Sequence, residues 1–135
     1  MPGYSKRSLV EKLGIKSGQR IYLRNPPDGY RKTLGPLPKD VSILKTLKGP
    51  CDFIQFFTTD RPALETGFAQ LKKNLAMNGC LWISWPKGAS KIKTDVNENV
   101  VREIALKNGL VDIKVCAVDD VWSGLKLVFR LKDRS

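Results

Sequence analysis

The stretch Cys80-Leu81-Trp82-Ile83-Ser84-Trp85-Pro86-Lys87 decides the fold class of this chain. It is a short, mostly apolar run with β-branched and aromatic residues, and Asn78-Gly79 precedes it. Such a run is typical of a strand buried on both faces, as in the centre of a parallel sheet. Polar residues follow at its carboxyl end, where an α/β sheet usually presents its ligand groups. The stretch therefore predicts a central parallel strand that ends at a candidate site.

Similar patterns before and after this stretch predict the remaining elements. Further strands are expected over residues 20–24, 41–44, 51–57, 111–118 and 125–131. A helix with apolar residues at helical spacing follows Asp60 and ends at Asn78-Gly79, and Asp95 with Glu98 resembles a capping box for the next helix. The turn between the last two strands is short, so this pair is antiparallel. The order α-β-(short)-β-β-α-β-α-β-β predicts an α/β three-layer sandwich, mostly parallel, with a C-terminal antiparallel hairpin strand.

Length and composition limit the class of protein. The 135 residues fit a single α/β domain spanning 1–135. The chain has no histidine, which excludes a Ser-His-Asp triad and histidine-containing zinc sites, and we expect no metal. No apolar run approaches the ~20 residues of a membrane span, and no signal-peptide core follows the N-terminus. We therefore expect a cytoplasmic protein without a membrane partner.

The chain carries 24 Lys+Arg against 13 Asp+Glu, a net charge of +11. Residues 1–48 alone hold 11 basic and 3 acidic side chains. Such a balance can attract nucleic acid or another anionic partner, and the alternative is that it serves solubility alone. The candidate anion-binding residues are Arg24, Arg31, Lys32, Lys87, Lys91 and Lys93.

The carboxyl ends of parallel strands meet at one edge of a sheet, so polar residues from four segments are expected to converge there. The candidate ligand residues at this edge are Asn25, Tyr30, Thr58, Thr59, Ser84, Trp85, Trp122 and Ser123. For an enzyme at this edge, the candidate general bases are Asp28, Asp119 and Asp120, and Lys87 would hold an anion.

Each candidate has a structural alternative. A hairpin turn is the favoured interpretation of Asp119-Asp120 over a catalytic role, and helix capping is that of Asp60 and Asp95. Trp85 and Trp122 are also consistent with packing over the end of the sheet. Trp82, inside the strand, is expected in the core.

Residues 50–132 resemble the C-terminal half of a class I S-adenosylmethionine-dependent methyltransferase. In that fold, a strand like Cys51-Asp52-Phe53-Ile54 precedes a helix, a turn and strand like Asn78-Gly79-Cys80-Leu81-Trp82, a second helix and a hairpin. The resemblance implies a truncated, Rossmann-like sheet.

The chain also resembles, nearly end to end, a family of small uncharacterised prokaryotic proteins. The shared motifs are Gly-Tyr-Ser at residues 3–5, Lys-Leu-Gly-Ile-Lys at 12–16, Asn-x-Pro-x-Gly-Tyr at 25–30, Ser-Trp-Pro-Lys at 84–87 and a hairpin at 116–126. This resemblance implies a fold and no activity.

The loop at residues 25–30 departs from the methyltransferase pattern. Methyltransferases have an acidic, glycine-rich loop here, whereas Pro26 and Pro27 remove two N–H donors and Gly29 is the only glycine. Lys45 and Lys48 stand where an acidic residue would hold ribose hydroxyls. We therefore expect no cofactor, with S-adenosylmethionine as the alternative.

The leading functional hypothesis is a non-catalytic binding module for an anionic partner, such as nucleic acid, on a degenerate methyltransferase-like fold. The alternatives are a methyltransferase-like enzyme with its site at the carboxyl edge, and a protein-interaction subunit that docks through exposed Trp85 and Trp122.

Overall fold

A computed structural model describes residues 7–134, and its elements follow the predicted order. The strands are β1 (Arg20–Arg24), β2 (Ser42–Leu44), β3 (Cys51–Phe57), β4 (Leu75–Pro86), β5 (Leu110–Ala117) and β6 (Trp122–Phe129). The helices are α1 (Leu9–Leu13), α2 (Tyr30–Leu34), α3 (Arg61–Lys73) and α4 (Glu98–Lys107). None of these helices is long and apolar enough to cross a membrane.

The six strands form one sheet in the order β2-β1-β3-β4-β6-β5. β1 pairs in parallel with β2 and β3, and β3 pairs in parallel with β4. β6 is antiparallel to both β4 and β5. The predicted α/β fold, mostly parallel with an antiparallel C-terminal strand, is confirmed. The chain moves outward from β1 to β2 and then returns to the other side of β1, so the strand order reverses between β1 and β3.

Helices cover both faces of the sheet. α1 and α2 share one apolar core with the sheet, and α3 and α4 share the other. Trp82 is fully buried under α1, as predicted, and its indole Nε1 donates a hydrogen bond to the Leu13 carbonyl at 2.9 Å. The sandwich therefore has three layers, with β3 and β4 at its centre.

Strand β4 starts earlier than predicted, and the prediction that α3 continues to Asn78-Gly79 is wrong. Helix α3 ends at Lys73, with Asn74 as its C-cap. Leu75 already pairs with Cys51, and Cys80 pairs with Phe53, so two steps along β3 match five along β4. The extra residues bulge out of the ladder. A Cβ at Gly79 would lie 2.7 Å from the Asp52 carbonyl oxygen, so this glycine permits the bulge and does not end a helix.

The helix caps also differ from prediction. Helix α4 begins at Glu98, and its N-cap is Asn97, whose side chain accepts the Val100 N–H. Asp95 therefore does not cap α4. Its Oδ1 instead accepts the Arg61 N–H of α3 at 2.7 Å. Asp60 occupies the N-cap position of α3 as predicted, but its side chain makes no capping hydrogen bond there.

Candidate functional site at the carboxyl edge of the sheet

The reversal of strand order between β1 and β3 places a crevice at the carboxyl ends of these strands, where open α/β sheets bind ligands. The side chain of Tyr30, the first residue of α2, fills the interior below this crevice. Its hydroxyl donates a 2.6 Å hydrogen bond to Gln55 Oε1, and Gln55 Nε2 donates to Ser84 Oγ at 3.0 Å. Gln55 and Ser84 are fully buried. This chain of hydrogen bonds ties the loop after β1 to the two central strands.

An aromatic series continues from Tyr30 toward the hairpin. The Tyr30 and Phe57 rings meet edge to face at 4.7 Å, and Phe57 meets Trp122 at 5.3 Å. Burial raises the pKa of Tyr30 above its ordinary value, the hydrogen bond to Gln55 lowers it, and the nearby Asp119 carboxylate raises it further. Tyr30 is therefore a neutral hydrogen-bond donor. The loop after β1 and the β5–β6 turn meet at this point.

Asp119 and Lys87, two of the candidate catalytic residues, are engaged within the turn. Asp119 Oδ1 accepts the N–H groups of Val121 and Trp122 at 2.8 and 2.7 Å. Lys87 Nζ donates to the Asp119 backbone carbonyl at 2.7 Å. These contacts favour the turn alternative for Asp119. They also show that the Lys87 ammonium is engaged in joining β4 to the hairpin.

The open part of the edge is the loop after β1. Asn25 and Asp28 are exposed, and Asn25 has a left-handed backbone with φ 55°. A cavity of about 300 Å³ lies in this loop, at the lower limit of ligand-pocket sizes. It is lined by Leu23, Pro26, Pro27, Asp28, Gly29, Tyr30 and Arg31. Gly29 has φ 77°, and open space surrounds the position of a Cβ, so a ligand can approach its backbone.

The loop after β3 leaves the carboxyl end of the strand next to β1, although none of its residues lines the cavity. Thr58 is buried, its N–H donates to the Ser84 carbonyl at 3.0 Å, and its hydroxyl accepts the Asp60 N–H. Thr59 is exposed, but its carbonyl accepts the Thr94 hydroxyl at 2.8 Å. The Thr59 side chain is thus available to a ligand, and the Thr58 side chain supports the loop.

Several other predicted residues lie away from the crevice. Trp85 is 7% exposed and packs in the α3–α4 core, which supports the packing alternative and removes it as an exposed docking residue. Ser84 belongs to the interior described above.

The other predicted residues have partners elsewhere or lie in the turn. Arg24 is held by the Tyr22 hydroxyl and Gln70 and lies over the Phe56 ring. Ser123 lies 3.5 Å from the Cys116 carbonyl, and Asp120 is exposed in the turn.

The remaining basic candidates are exposed on two segments. Arg31 and Lys32 lie on α2, and Lys91 and Lys93 lie in the loop after β4. Within residues 7–134, no carboxylate lies within 4.0 Å of these four side chains.

Gln55 and Phe57 are central to this site, and sequence reasoning missed both. The available signal was a single amide side chain within the apolar run Cys51-Asp52-Phe53-Ile54-Gln55-Phe56-Phe57. A lone buried amide needs hydrogen-bond partners, and these come from α2 and β4. In the described part of the chain, no group of three or more Cys, Asp or Glu side chains could hold a metal ion.

Comparison with solved structures identifies the fold. A protein of Sulfolobus solfataricus assigned to the type 11 methyltransferases has a TM-score of 0.67 at 14% identity, and the alignment covers 96% of this chain and 94% of that one. Magnesium protoporphyrin IX methyltransferase from Synechocystis PCC 6803, crystallised with S-adenosylhomocysteine (SAH), has a TM-score of 0.59 at 11% identity, with 90% and 78% covered. Fibrillarin from Aeropyrum pernix, with natively bound S-adenosylmethionine, has a TM-score of 0.58 at 12% identity, with 89% and 73% covered.

These similarities show a class I methyltransferase-like Rossmann fold. No protein-family model matches the sequence, and no curated protein matches it either. The expectation that the chain uses no cofactor is contradicted, because the neighbours from Synechocystis and A. pernix hold SAH or S-adenosylmethionine.

The polar groups at the crevice match the positive charge of a cationic ligand, but they lack a carboxylate at the end of β2 for its hydroxyl groups. The loop after β1 offers the Asp28 carboxylate, the Asn25 amide and the open backbone at Gly29, and the loop after β3 offers the Thr59 hydroxyl. The end of β2 carries the exposed Lys45 and no carboxylate. Ligand hydroxyl groups would therefore meet amide and hydroxyl partners here.

Proposed function

We propose that this chain binds S-adenosylmethionine in the crevice between the loops after β1 and β3. The observation that carries the proposal is the 300 Å³ cavity in the loop after β1, at the reversal of strand order in a methyltransferase-like sheet. Two of the fold's structural neighbours hold the same cofactor or its demethylated product.

Asp28 is the residue best suited to hold the positive charge of the ligand. Its carboxylate is exposed, lines the cavity and makes no hydrogen bond within residues 7–134. Asn25 and Thr59 would take the ligand's polar groups. When bound, S-adenosylmethionine supplies an electrophilic methyl group. Asp119 and Lys87 are engaged in the hairpin turn, so they would shape the site without acting on this group.

Isothermal titration with S-adenosylmethionine and SAH tests the proposal. We expect saturable binding of both, and weaker binding of the cationic S-adenosylmethionine by at least tenfold in Asp28→Asn. Asp133→Asn is the matched control, since it makes the same change of charge in the exposed turn after β6. Absence of heat at millimolar ligand, or equal binding by both variants, would refute the assignment of the site.

A second candidate function is recognition of an anionic partner, such as RNA, by the exposed basic residues beside the crevice. Arg31 lines the cavity, Lys32 follows it on α2, and both lack a carboxylate partner in the described residues. Two unpaired cations next to the proposed cofactor favour a substrate or partner that carries phosphate.

A salt series with a short single-stranded RNA tests this candidate. Each phosphate contact contributes about −0.7 to the slope of log K against log salt, so Arg31→Gln/Lys32→Gln should reduce the slope by roughly 1.4. Lys73→Gln/Lys107→Gln, which removes two exposed lysines from the ends of α3 and α4, controls for the change in net charge. A flat salt dependence, or an identical slope in both double variants, would exclude this candidate.

A further inference from the structure

A second cavity lies at the opposite, amino-terminal edge of the parallel strands. Its volume is about 150 Å³, which equals the liquid volume of about five water molecules. It is lined by the end of α1 and the turn after it, the start of β3, the bulge of β4 and strand β6. The polar side chains in its wall are Lys16, Gln19, Asp52, Asn78 and Lys126. None of these residues belongs to the carboxyl-edge crevice.

Positive charge dominates this cavity. Lys16 and Lys126 line it, and in residues 7–134 no carboxylate lies within 4.0 Å of either ammonium. Asp52 is the one carboxylate in the wall, and its Oδ2 already accepts the Arg20 N–H at 2.8 Å. Lys126 is half-buried, so the fold holds its side chain at the cavity.

Two further lysines flank the cavity. Lys114 on β5 pairs directly with Lys126 on β6, and like charges directly opposite each other destabilise a sheet. Burial raises the pKa of Cys80 to about 11; the charge of Lys126 lowers it, the Asp52 carboxylate raises it, and the charge of Lys114 lowers it. Burial likewise raises the pKa of Cys116, against Lys114 and Lys12. Lys12, Lys16, Lys114 and Lys126 are here called the α1–hairpin lysines. Lys16 and Lys126 line the cavity, Lys114 lies opposite Lys126 on the sheet, and Lys12 is near enough to Cys116 to lower the pKa of its thiol.

The fold itself offers little to neutralise these charges. Lys126 Nζ lies 3.3 Å from the position of a Cβ on Gly14, just beyond the carboxyl end of α1. A helix of only five residues has a small macrodipole, so its end does not offset several lysines. The groove also contains uncharged donors, because the Gln19 Oε1 accepts the Lys16 N–H and leaves the Gln19 amide nitrogen without an acceptor among the described residues.

We propose that the groove between α1 and the β5–β6 hairpin is a binding site for a phosphate group, with Lys126 as its central residue. Lys16 and the side-chain amides of Gln19 and Asn78 would complete the set of donors. The phosphate can come from the free anion or from a nucleic acid backbone. The site lies on the opposite edge of the sheet from the crevice, so it does not depend on the cofactor proposal.

Two-dimensional ¹H–¹⁵N NMR titration with inorganic phosphate, at constant ionic strength against chloride, tests the site. We expect saturable shifts of the Gly14, Gln19 and Gly79 amides, and at least a tenfold loss of affinity in Lys126→Met, which keeps the aliphatic stem. Lys73→Met, on the opposite face of the sheet, is the matched control and should bind like the wild type. Circular dichroism verifies that both variants fold.

Titration with a short single-stranded RNA identifies the source of the phosphate. RNA that competes with inorganic phosphate and loses affinity in Lys126→Met would support a backbone phosphate. RNA that binds both variants equally, while inorganic phosphate distinguishes them, would support the free anion. Absence of saturable phosphate shifts, or equal phosphate binding by Lys126→Met and Lys73→Met, would overturn the proposal.

Discussion

The Tyr30–Gln55–Ser84 hydrogen-bond chain should be energetically coupled. Tyr30→Phe keeps the ring between Gln55 and Phe57 but leaves Gln55 Oε1 buried without its 2.6 Å donor. An unsatisfied buried polar group costs about 1–3 kcal/mol, so we expect a loss of that size. Gln55→Met has similar length and deprives both the Tyr30 and the Ser84 hydroxyls of their partner. We expect it to cost about 2–5 kcal/mol.

The double variant distinguishes a connected chain from two separate contacts. In Tyr30→Phe/Gln55→Met, only the Ser84 hydroxyl loses its partner, so the double variant should cost about 1–3 kcal/mol. The single variants together leave three groups unsatisfied, so the cost of the double variant should fall short of their sum by about 2–5 kcal/mol. Urea unfolding with linear extrapolation gives the four free energies of unfolding. Tyr22→Phe, which alters a half-buried hydroxyl beside Arg24, should change stability by less than about 0.5 kcal/mol. Additivity within about 0.5 kcal/mol would show that this reasoning is wrong.

Three further predictions follow from burial and packing. Because burial raises the pKa of Tyr30, the contribution of Tyr30 to stability is complete below about pH 10 and is lost at higher pH. In urea unfolding at alkaline pH, the stability advantage of the wild type over Tyr30→Phe should therefore shrink by about 1.4 kcal/mol per pH unit above that point. A difference that stays constant with pH would contradict this. Gly79→Ala should lower the free energy of unfolding by about 1–3 kcal/mol, measured in urea, because the added Cβ would lie 2.7 Å from the Asp52 carbonyl oxygen. Gly88→Ala is the control and should be neutral, because its added Cβ has no atom within 4 Å. Equal effects of the two substitutions would contradict this. With a pKa of about 11, roughly one Cys80 thiol in a thousand is ionised at pH 8. In the native protein, iodoacetamide should therefore modify the half-buried Cys116 before the buried Cys80, as followed by mass spectrometry. The reverse order would be inconsistent with the structure.

The sequence predicts the architecture because the signals for it are local. Continuous apolar runs identify β3 and β4 as central, and the short turn before β6 requires an antiparallel pair. The start of β4 is not predictable in this way, because the bulge at Gly79 depends on how β4 passes the Asp52 carbonyl of a different strand. The role of Asp95 depends similarly on α3, since its carboxylate caps a helix that begins 34 residues earlier.

Residue types alone do not reveal which polar groups already have partners. Asp119 and Lys87 have the chemistry of a base and an anion holder, but the turn uses the Asp119 carboxylate and the Lys87 ammonium as structural groups. Asp28, with the same carboxylate, has no partner in the described residues and lines a cavity. To assign function at this edge, the polar groups that already have hydrogen-bond partners within the fold must therefore be set aside.

The α1–hairpin lysines show the opposite effect, in which distant residues are brought together. Lys12 and Lys126 are far apart in sequence, and the basic N-terminal third indicated charge without a location. Lys126 reaches Gly14 at the end of α1 because α1 packs on the sheet, and it faces Lys114 because of the register between β5 and β6. That register contains an irregularity between Asp112 and Lys114, which the sequence pattern does not encode. A regular ladder would move Lys114 to the other face of the sheet and away from Lys126, because strand side chains alternate. Both basic surfaces of this molecule thus depend on backbone geometry. Beside the crevice it is a tight loop with open backbone at Gly29, and at the groove between α1 and the β5–β6 hairpin it is a bulged edge strand.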